Sequence, residues 1–304
     1  MNSTLNRING EKGLVSVVIP VFNSEVFIRN TIDSVVRQTY TSLEIIVVND
    51  GSTDRTGDVV RSYKEDFIIC VDQKNKGVSA ARNLGLRVAK GEFVIFFDSD
   101  DIMPPDFIRT RVEALNEFGF FDFVCGYVRK IDEHGEVIEQ LYKGACLDIE
   151  KEILTFRSDV ITCPSNYMFR REPMLVKNVQ FNEALASSAD RYFLLEVNKY
   201  FKGLMLRSAE AQLLYRYRIN SMSNTLTHQL IKDNELFFDL ILEKVKPEGL
   251  LKRVFLSKSK YVLSGAYFRI GKLGLSWKYA IFSFFYNPVN FIRTMLKLRT
   301  NYIP

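Results

Sequence analysis

Four short apolar runs in the first hundred residues limit what this chain can become. Residues 15–22 (VSVVIPVF), 43–48 (LEIIVV), 67–71 (FIICV) and 93–97 (FVIFF) are rich in β-branched and aromatic side chains and lack polar alternation. Such runs suit strands covered on both faces, as in a parallel sheet. Parallel neighbours need crossovers, and the intervening text supplies them. Ile28, Ile32, Val35 and Val36 fall at helical spacing, a polar helix is expected after NDGSTD to about Tyr63, and VSAARNLGLRVA (78–89) reads as a third. This alternation predicts a doubly wound α/β sheet, in which ligands bind outside the carboxyl ends of the strands.

Those strand ends are polar. The first closes on Pro20, Val21, Phe22 and Asn23, the second on Asn49, Asp50, Gly51 and Ser52, and the fourth on Asp98, Ser99, Asp100 and Asp101. The fourth is the most demanding. Three carboxylates within four positions repel one another unless a cation or strong donors balance them, so the cluster is either a solvated turn or a site. Neither GxGxxG after the first strand nor GxxxxGK[ST] is present, which removes the common glycine-rich phosphate cradles. If a diphosphate binds here, a magnesium or manganese ion bridging carboxylate and phosphate is the remaining economical solution.

Beyond Pro104 and Pro105 the pattern changes. FDFVCGYVRKI (121–131), DEHGE and VIEQLY read as a hairpin, with further strands expected near 166–170 and 211–217. From about Leu230 only helical patterns remain, broken at Pro247, around Gly271 to Gly274, and at Pro288. Cys70, Cys125, Cys146 and Cys163 stand singly, with no CxxC pair, and are expected to be reduced thiols. MNSTLNRINGEKG has no apolar leader core, and no stretch approaches the roughly 20 apolar residues of a membrane span, so a cytoplasmic protein is expected. Charge is uneven: residues 249–304 hold ten Lys/Arg and no Asp or Glu, leaving the remainder net acidic. That tail either packs as a helical appendage or lies on an anionic membrane surface; nucleic acid is not expected, because its basic residues match no binding motif.

The segments VSVVIPVFNSEVFIRNTIDSVVRQTYTSLEIIVVNDGSTDRT and KGVSAARNLGLRVAKGEFVIFFDSDDIMPPDFI resemble the nucleotide-sugar-binding half of the inverting family 2 glycosyltransferases. The resemblance is nearly continuous from Val15 to about Ile108, thins to landmarks over 109–229, and stops there. It implies the A-type glycosyltransferase fold, a Rossmann-like mixed sheet flanked by helices, here with a helical C-terminal appendage. The organisation it implies is an N-terminal extension (1–13), a nucleotide-sugar-binding half (14–110), an acceptor and catalytic-base half (111–229) and a helical basic region (230–304). The implied activity is metal-dependent transfer of a hexosyl or N-acetylhexosaminyl group from a nucleoside diphosphate sugar. The acceptor is a hydroxyl of a glycan or lipid-linked intermediate of a cell-surface polysaccharide, at the inner face of a membrane.

Roles carry over residue by residue. Pro20 and Phe22 fall at the nucleotide, with Phe22 packed on the base; its alternative is a core residue. Asp50 accepts a hydrogen bond from the base, which suits the N3 proton of uracil and hence UDP; its alternative is an Asx turn before Gly51. Asp98 falls near the ribose and Asp100 at Mn²⁺ or Mg²⁺, while Asp101 either assists the metal or caps the segment after it. Arg82 resembles the basic residue near the nucleotide, or is a surface arginine on an amphipathic helix. Asp190 in SSADRYFLLEV fits the catalytic base, although Ala189 stands where a Glu is usual; its alternative is a helix cap. In YRYRINSMSNT (215–225), Arg218 stands nearest to a residue that contacts metal or phosphate, and as an arginine it suits phosphate. His134 and His228 read as surface residues. The missing Glu leaves one competing reading, a non-catalytic nucleotide-sugar-binding subunit of a larger complex.

Overall fold

The computed structural model describes residues 10–141, 148–157, 161–218 and 228–300. The chain divides into two compact units, 1–147 with 159–219 and 148–158 with 220–304. The first unit opens with β1 (Glu11–Val21), α1 (Ile28–Val36), β2 (Leu43–Asn49), α2 (Thr56–Arg61), β3 (Ile68–Asp72), α3 (Val78–Val88) and β4 (Gly91–Phe96). It continues with α4 (Phe107–Glu117), β5 (Phe123–Gly126), β6 (Val128–Ile131) and β7 (Val137–Leu141). After α5 (Ile149–Leu154), which belongs to the second unit, come β8 (Tyr167–Arg170), α6 (Arg171–Val176), α7 (Ala189–Tyr200), β9 (Gly203–Leu206) and β10 (Leu213–Arg216).

Seven strands form one mixed sheet in the order β3-β2-β1-β4-β8-β5-β9. Strands β1 to β4 are parallel, β8 runs antiparallel between β4 and β5, and β9 is parallel to β5. The runs in β1, β2 and β4 are buried on both faces, as their lack of alternation requires, whereas that in β3, at the edge of the sheet, is only half-buried. On one face Val17, Ile19, Ile45 and Ile95 meet Ile32 and Val35 of α1, Val60 of α2, and Ile108 and Val112 of α4. On the other, Phe96 and Phe169 pack edge-on against Phe193 of α7.

The expected hairpin over 121–142 is only half realised. β6 and β7 form it, and with β10 they make a separate three-stranded sheet. All four residues of β5 are buried, and the strand pairs with β8 and β9 inside the large sheet instead. An apolar run buried on both sides cannot serve as one arm of an exposed ribbon.

Helix α3 seats closely on the sheet because of a glycine. A Cβ placed on Gly85 falls 2.1 Å from Cγ1 of Val18 in β1, so helix and strand approach where no side chain fits. Gly85→Ala is expected to destabilise the chain by about 2–3 kcal/mol through overpacking, read as a fall in the urea midpoint at unchanged slope.

The second unit is helical: α5, then α8 (His228–Leu240) running into a π-turn (Ile241–Val245), α9 (Gly249–Arg269), α10 (Leu273–Tyr286) and α11 (Pro288–Thr300). Its breaks fall at Pro247, Gly271 and Pro288, where the sequence places them. Among the described residues no helix is long and apolar enough to cross a membrane.

Candidate active site

The carboxyl ends of β1, β2 and β4 lie side by side on one rim of the first unit. Because β2 and β4 both pair with β1, their ends stand about 10 Å apart. The loops between them are stitched together. Ser24 Oγ lies 2.8 Å from Ser99 Oγ, and Thr31 Oγ1 donates to the carbonyls of Ser99 and Asp101 at 2.9 and 3.0 Å. The turn carrying the acidic cluster is thus held from below by α1.

Pro20 is buried within β1 opposite Val48. Phe22, one step past the strand, is 48% exposed on the rim and is not a core residue. Asp50 is 3% exposed. Its Oδ1 accepts from Gln73 Nε2 (2.7 Å) and the Lys76 backbone N–H (2.8 Å), and its Oδ2 accepts from the Gly77 N–H (2.8 Å). A carboxylate offers about four acceptor positions, so Oδ2 retains one. The turn after β2 is held by the preceding residue, whose side chain accepts from three residues on: Asn49 Oδ1 takes the Ser52 N–H at 3.1 Å.

Arg82 organises the other side of the rim. Placed by α3, it is 3% exposed, which removes the surface-arginine alternative. Its Nη2 donates to Asp98 Oδ1 at 2.6 Å and its Nη1 to Asp190 Oδ1 at 2.7 Å. One guanidinium therefore joins the end of β4 to the first turn of α7, residues 92 positions apart in the chain. Its carbon lies 4.9 Å over the Phe181 ring, which stacks on Phe193 at 4.0 Å. The neighbouring residue completes the join: Asn83 Nδ2 donates to Phe181 O at 2.9 Å and Asn83 Oδ1 accepts the Phe181 N–H at 2.9 Å. Ser79 Oγ adds a bond to Leu185 O at 3.3 Å. The motif SAAR-N thus fastens the segment that leads into α7.

Burial raises the Asp190 carboxyl to about 6, Asp98 adds to the rise, and Arg82 opposes it. Its side chain keeps 30% exposure, so the group remains reachable. Ala189, the departure from the usual Glu, is fully buried beside it.

The acidic turn holds its carboxylates under burial and mutual repulsion, with arginines at its borders. Asp101 is fully buried, and burial followed by Asp100 and Asp98 pushes its carboxyl well above the usual range. Asp100 is raised by burial, against the pull of Arg218, whose Nε lies 2.8 Å from Asp100 Oδ2. A carboxylate oxygen each from Asp98 and Asp101 and the Sγ of Cys163 lie within 4.8 Å of one another, a spacing that one cation spans. Crowded buried carboxylates at this spacing fit a divalent ion. Asp100, the expected ligand, stands outside that trio and faces Arg218.

Three residues here carry no sequence signal that singled them out. Cys163 Sγ donates to Asp98 Oδ2 at 3.8 Å and to Asp101 Oδ2 at 3.6 Å, and its thiol is pushed well up by burial and then by these carboxylates. Ser165 Oγ accepts the Asp98 N–H at 2.9 Å. Arg216 is 4% exposed; its N–H donates to Asp101 Oδ1 (3.0 Å), its Nε to Asp100 O (2.8 Å), and its Nη1 to Asp132 O and Glu133 O (2.8 and 2.7 Å). It clamps the acidic turn to the small sheet, two residues before the arginine on which the sequence drew attention. His134 and His228 are exposed. Cys70 and Cys163 are free thiols and Cys125 is buried; Cys146 and residues 219–225 of the YRYRINSMSNT segment lie outside the described residues.

The family model described as "Glycosyl transferase family 2" matches residues 16–175, which spans the acidic rim, Arg82 and the loop of Cys163. The chain belongs to this family. It is 30% identical over 217 residues to the uncharacterized glycosyltransferase EpsJ of Bacillus subtilis, covering 69% of this chain and 63% of that one. Against three of the curated relatives the chain spans 22%, 63% and 64% of their length. Among solved structures it resembles S. aureus TarS 1–349 in complex with UDP-GlcNAc (TM-score 0.62, 21% identity, 84% of this chain and 72% of that one). It also resembles the mannosyltransferase PcManGT from Pyrobaculum calidifontis in complex with GDP-Man and Mn²⁺ (TM-score 0.56, 17% identity, 88% and 74%). These likenesses establish the A-type glycosyltransferase fold with its mixed sheet and flanking helices.

Proposed function

We propose that this chain is a metal-dependent inverting glycosyltransferase that takes a hexosyl or N-acetylhexosaminyl group from a UDP-sugar. The observation that carries this reading is the Arg82 clasp, which fixes Asp190 and Asp98 to a single guanidinium at the rim. The donor lies with its base on exposed Phe22 and its N3 proton toward the remaining acceptor position of Asp50 Oδ2. Pro20 shapes the strand end beneath it. The UDP-GlcNAc bound by the TarS neighbour accords with uracil as the base.

Asp190 then acts on the acceptor. Its carboxylate takes the proton of the attacking hydroxyl, the oxygen bonds to the anomeric carbon, and the bond from that carbon to the diphosphate breaks. Asp98 and Asp101, with Asp100 once it turns from Arg218, would hold a divalent ion, Mn²⁺ or Mg²⁺, which when bound would supply positive charge for the leaving diphosphate. Arg218, already at this turn, meets the phosphates as a fixed cation. Arg82 keeps Asp190 ionised and oriented, because its charge opposes the effect of burial.

The acceptor we assign is a hydroxyl of a glycan or lipid-linked intermediate of a cell-surface polysaccharide. A lipid-linked acceptor places the reaction at the inner face of a membrane, with residues 249–304 as the segment turned to an anionic surface. A thermal-shift screen of nucleotide sugars with Mn²⁺ tests the donor reading. UDP-sugars are expected to raise the unfolding temperature above GDP- and CMP-sugars, by an amount that grows with ligand concentration. A shift with GDP-sugars alone overturns the assignment of uracil, and no shift with any donor overturns nucleotide-sugar binding.

A further inference from the structure

The second unit contains a helix turned inside out. In α10 the residues facing the neighbouring helix are small and polar: Ser283 is fully buried and Ser276 nearly so. Ser283 Oγ donates to Ser257 O of α9 at 2.7 Å, and Ser264 Oγ of α9 donates to Ser276 O at 2.9 Å. The outward residues are large and apolar. Leu273 (53% exposed), Trp277 (69%), Ile281 (51%) and Phe285 (73%) recur every four residues, so they form one stripe, with Phe284 beside it. Helix α11 continues the surface with Val289, Ile292, Met295 and Leu296, all exposed at spacings of three and four. A water-facing helix of a soluble domain buries its apolar side and shows its polar side; this one does the reverse.

An exposed surface of this kind requires an apolar occupant. Charge identifies it. Lys272, Lys278 and Arg293 border the stripe, and residues 249–304 carry ten Lys/Arg and no acidic residue. Two copies of this face would bring like charges together, whereas a bilayer with anionic headgroups offers hydrocarbon to the stripe and negative charge to its border. Since no described helix can span a membrane, the face lies in the interface rather than crossing it. We infer that α10 and α11 embed in one leaflet of an anionic membrane, with Trp277, Ile281 and Phe285 reaching the acyl boundary and the basic residues at headgroup level. This deepens the reading of 249–304 as the membrane-facing segment from electrostatic contact to insertion, and it stands independently of the transferase reaction.

Trp277 is the only tryptophan of the chain, so its emission reports this face alone. The experiment mixes the full chain with phosphatidylcholine vesicles, with or without phosphatidylglycerol, carrying lipids brominated on the acyl chain. With phosphatidylglycerol the emission is expected to shift to the blue and to be quenched by the bromines, and both effects to persist when salt is raised. Ile281→Asp with Phe285→Asp is expected to lower vesicle binding at least about tenfold at an unchanged unfolding temperature. If that variant fails to fold, quenching in the wild type decides. Vesicle binding without quenching overturns insertion. A blue shift that appears without vesicles and grows with protein concentration assigns the face to a second copy and overturns the inference, as does the absence of vesicle binding. Donor-induced stabilisation, measured without vesicles, reports the transferase reading separately.

Discussion

Asp190→Asn is expected to lower turnover by about 10²–10⁴-fold while leaving donor-induced stabilisation intact. The amide matches the carboxylate in shape but cannot take a proton from the acceptor. Its carbonyl still accepts from Arg82 Nη1, so the clasp is kept in a weaker, neutral form. The wild type carries the companion signature in its pH profile. The Asp190 carboxyl is raised to about 6, so the base is ionised above that value and protonated below it. The rate constant kcat/KM, which reports the free protein, is therefore expected to be flat at neutral pH and to fall about tenfold per unit below about pH 6. That acid limb should vanish in Asp190→Asn. Unchanged turnover in the variant removes Asp190 as the base, whereas donor-induced stabilisation without turnover in the wild type favours the non-catalytic donor-binding subunit, for which buried Ala189 is the one supporting feature.

Arg82→Met is the second large effect. The side chain is 3% exposed and holds two carboxylates that are themselves only 26% and 30% exposed, so removing it leaves both without their cation. Breaking a buried pair by deleting one partner costs about 3–5 kcal/mol. The loss is expected at neutral pH, measured as the fall in urea midpoint against the wild type. Its sign with pH depends on which form burial prefers. Without the arginine the Asp190 carboxyl shifts further upward, so the variant regains part of its deficit as pH falls and that group becomes neutral. A deficit independent of pH would assign the loss to packing against Phe181 rather than to charge. Turnover is expected to fall with it, because Asp190 loses both its orientation and the charge that keeps it ionised.

The polar rim of the sheet was legible because its signals are local. VSVVIPVF and FVIFF announce buried strands by composition alone, and Asp50, Asp98 and Asp100 come at their ends, where a parallel sheet gathers polar groups. Asp190 was singled out only through the resemblance of SSADRYFLLEV to a family segment, its local reading being a helix cap; it lies in the first turn of α7. Burial of charge was not legible. Arg82 had a surface arginine on an amphipathic helix as its alternative, yet it is buried, and Arg111, which no sequence motif marks, is buried as well. Arg111 lies 3.3 Å over the Phe107 ring and donates to Phe107 O at 3.1 Å, with burial lowering it to about 9. Arg82 pairs with Asp98 and Asp190 and Arg111 also donates to Asn166 O at 3.4 Å, partners outside their own helices, about which periodicity within one helix contains nothing. Cys163 and Arg216 were hidden for the same reason: each acts on the acidic turn across more than sixty residues. The split of FDFVCGYVRKI between two sheets likewise depends on β8 and β9, which the run itself does not encode.

One consequence of α3 concerns hybrid enzymes. Its residues grip the neighbourhood of the proposed base through Ser79, Arg82 and Asn83, while Gly85 fixes its distance from β1. A chimera that exchanged donor preference by splicing in a foreign segment ending near residue 110 would import a new helix onto the old 181–190 partner. Recombinants of this scaffold should therefore inherit residues 79–85 and 181–190 from the same parent, whichever parent supplies the rest.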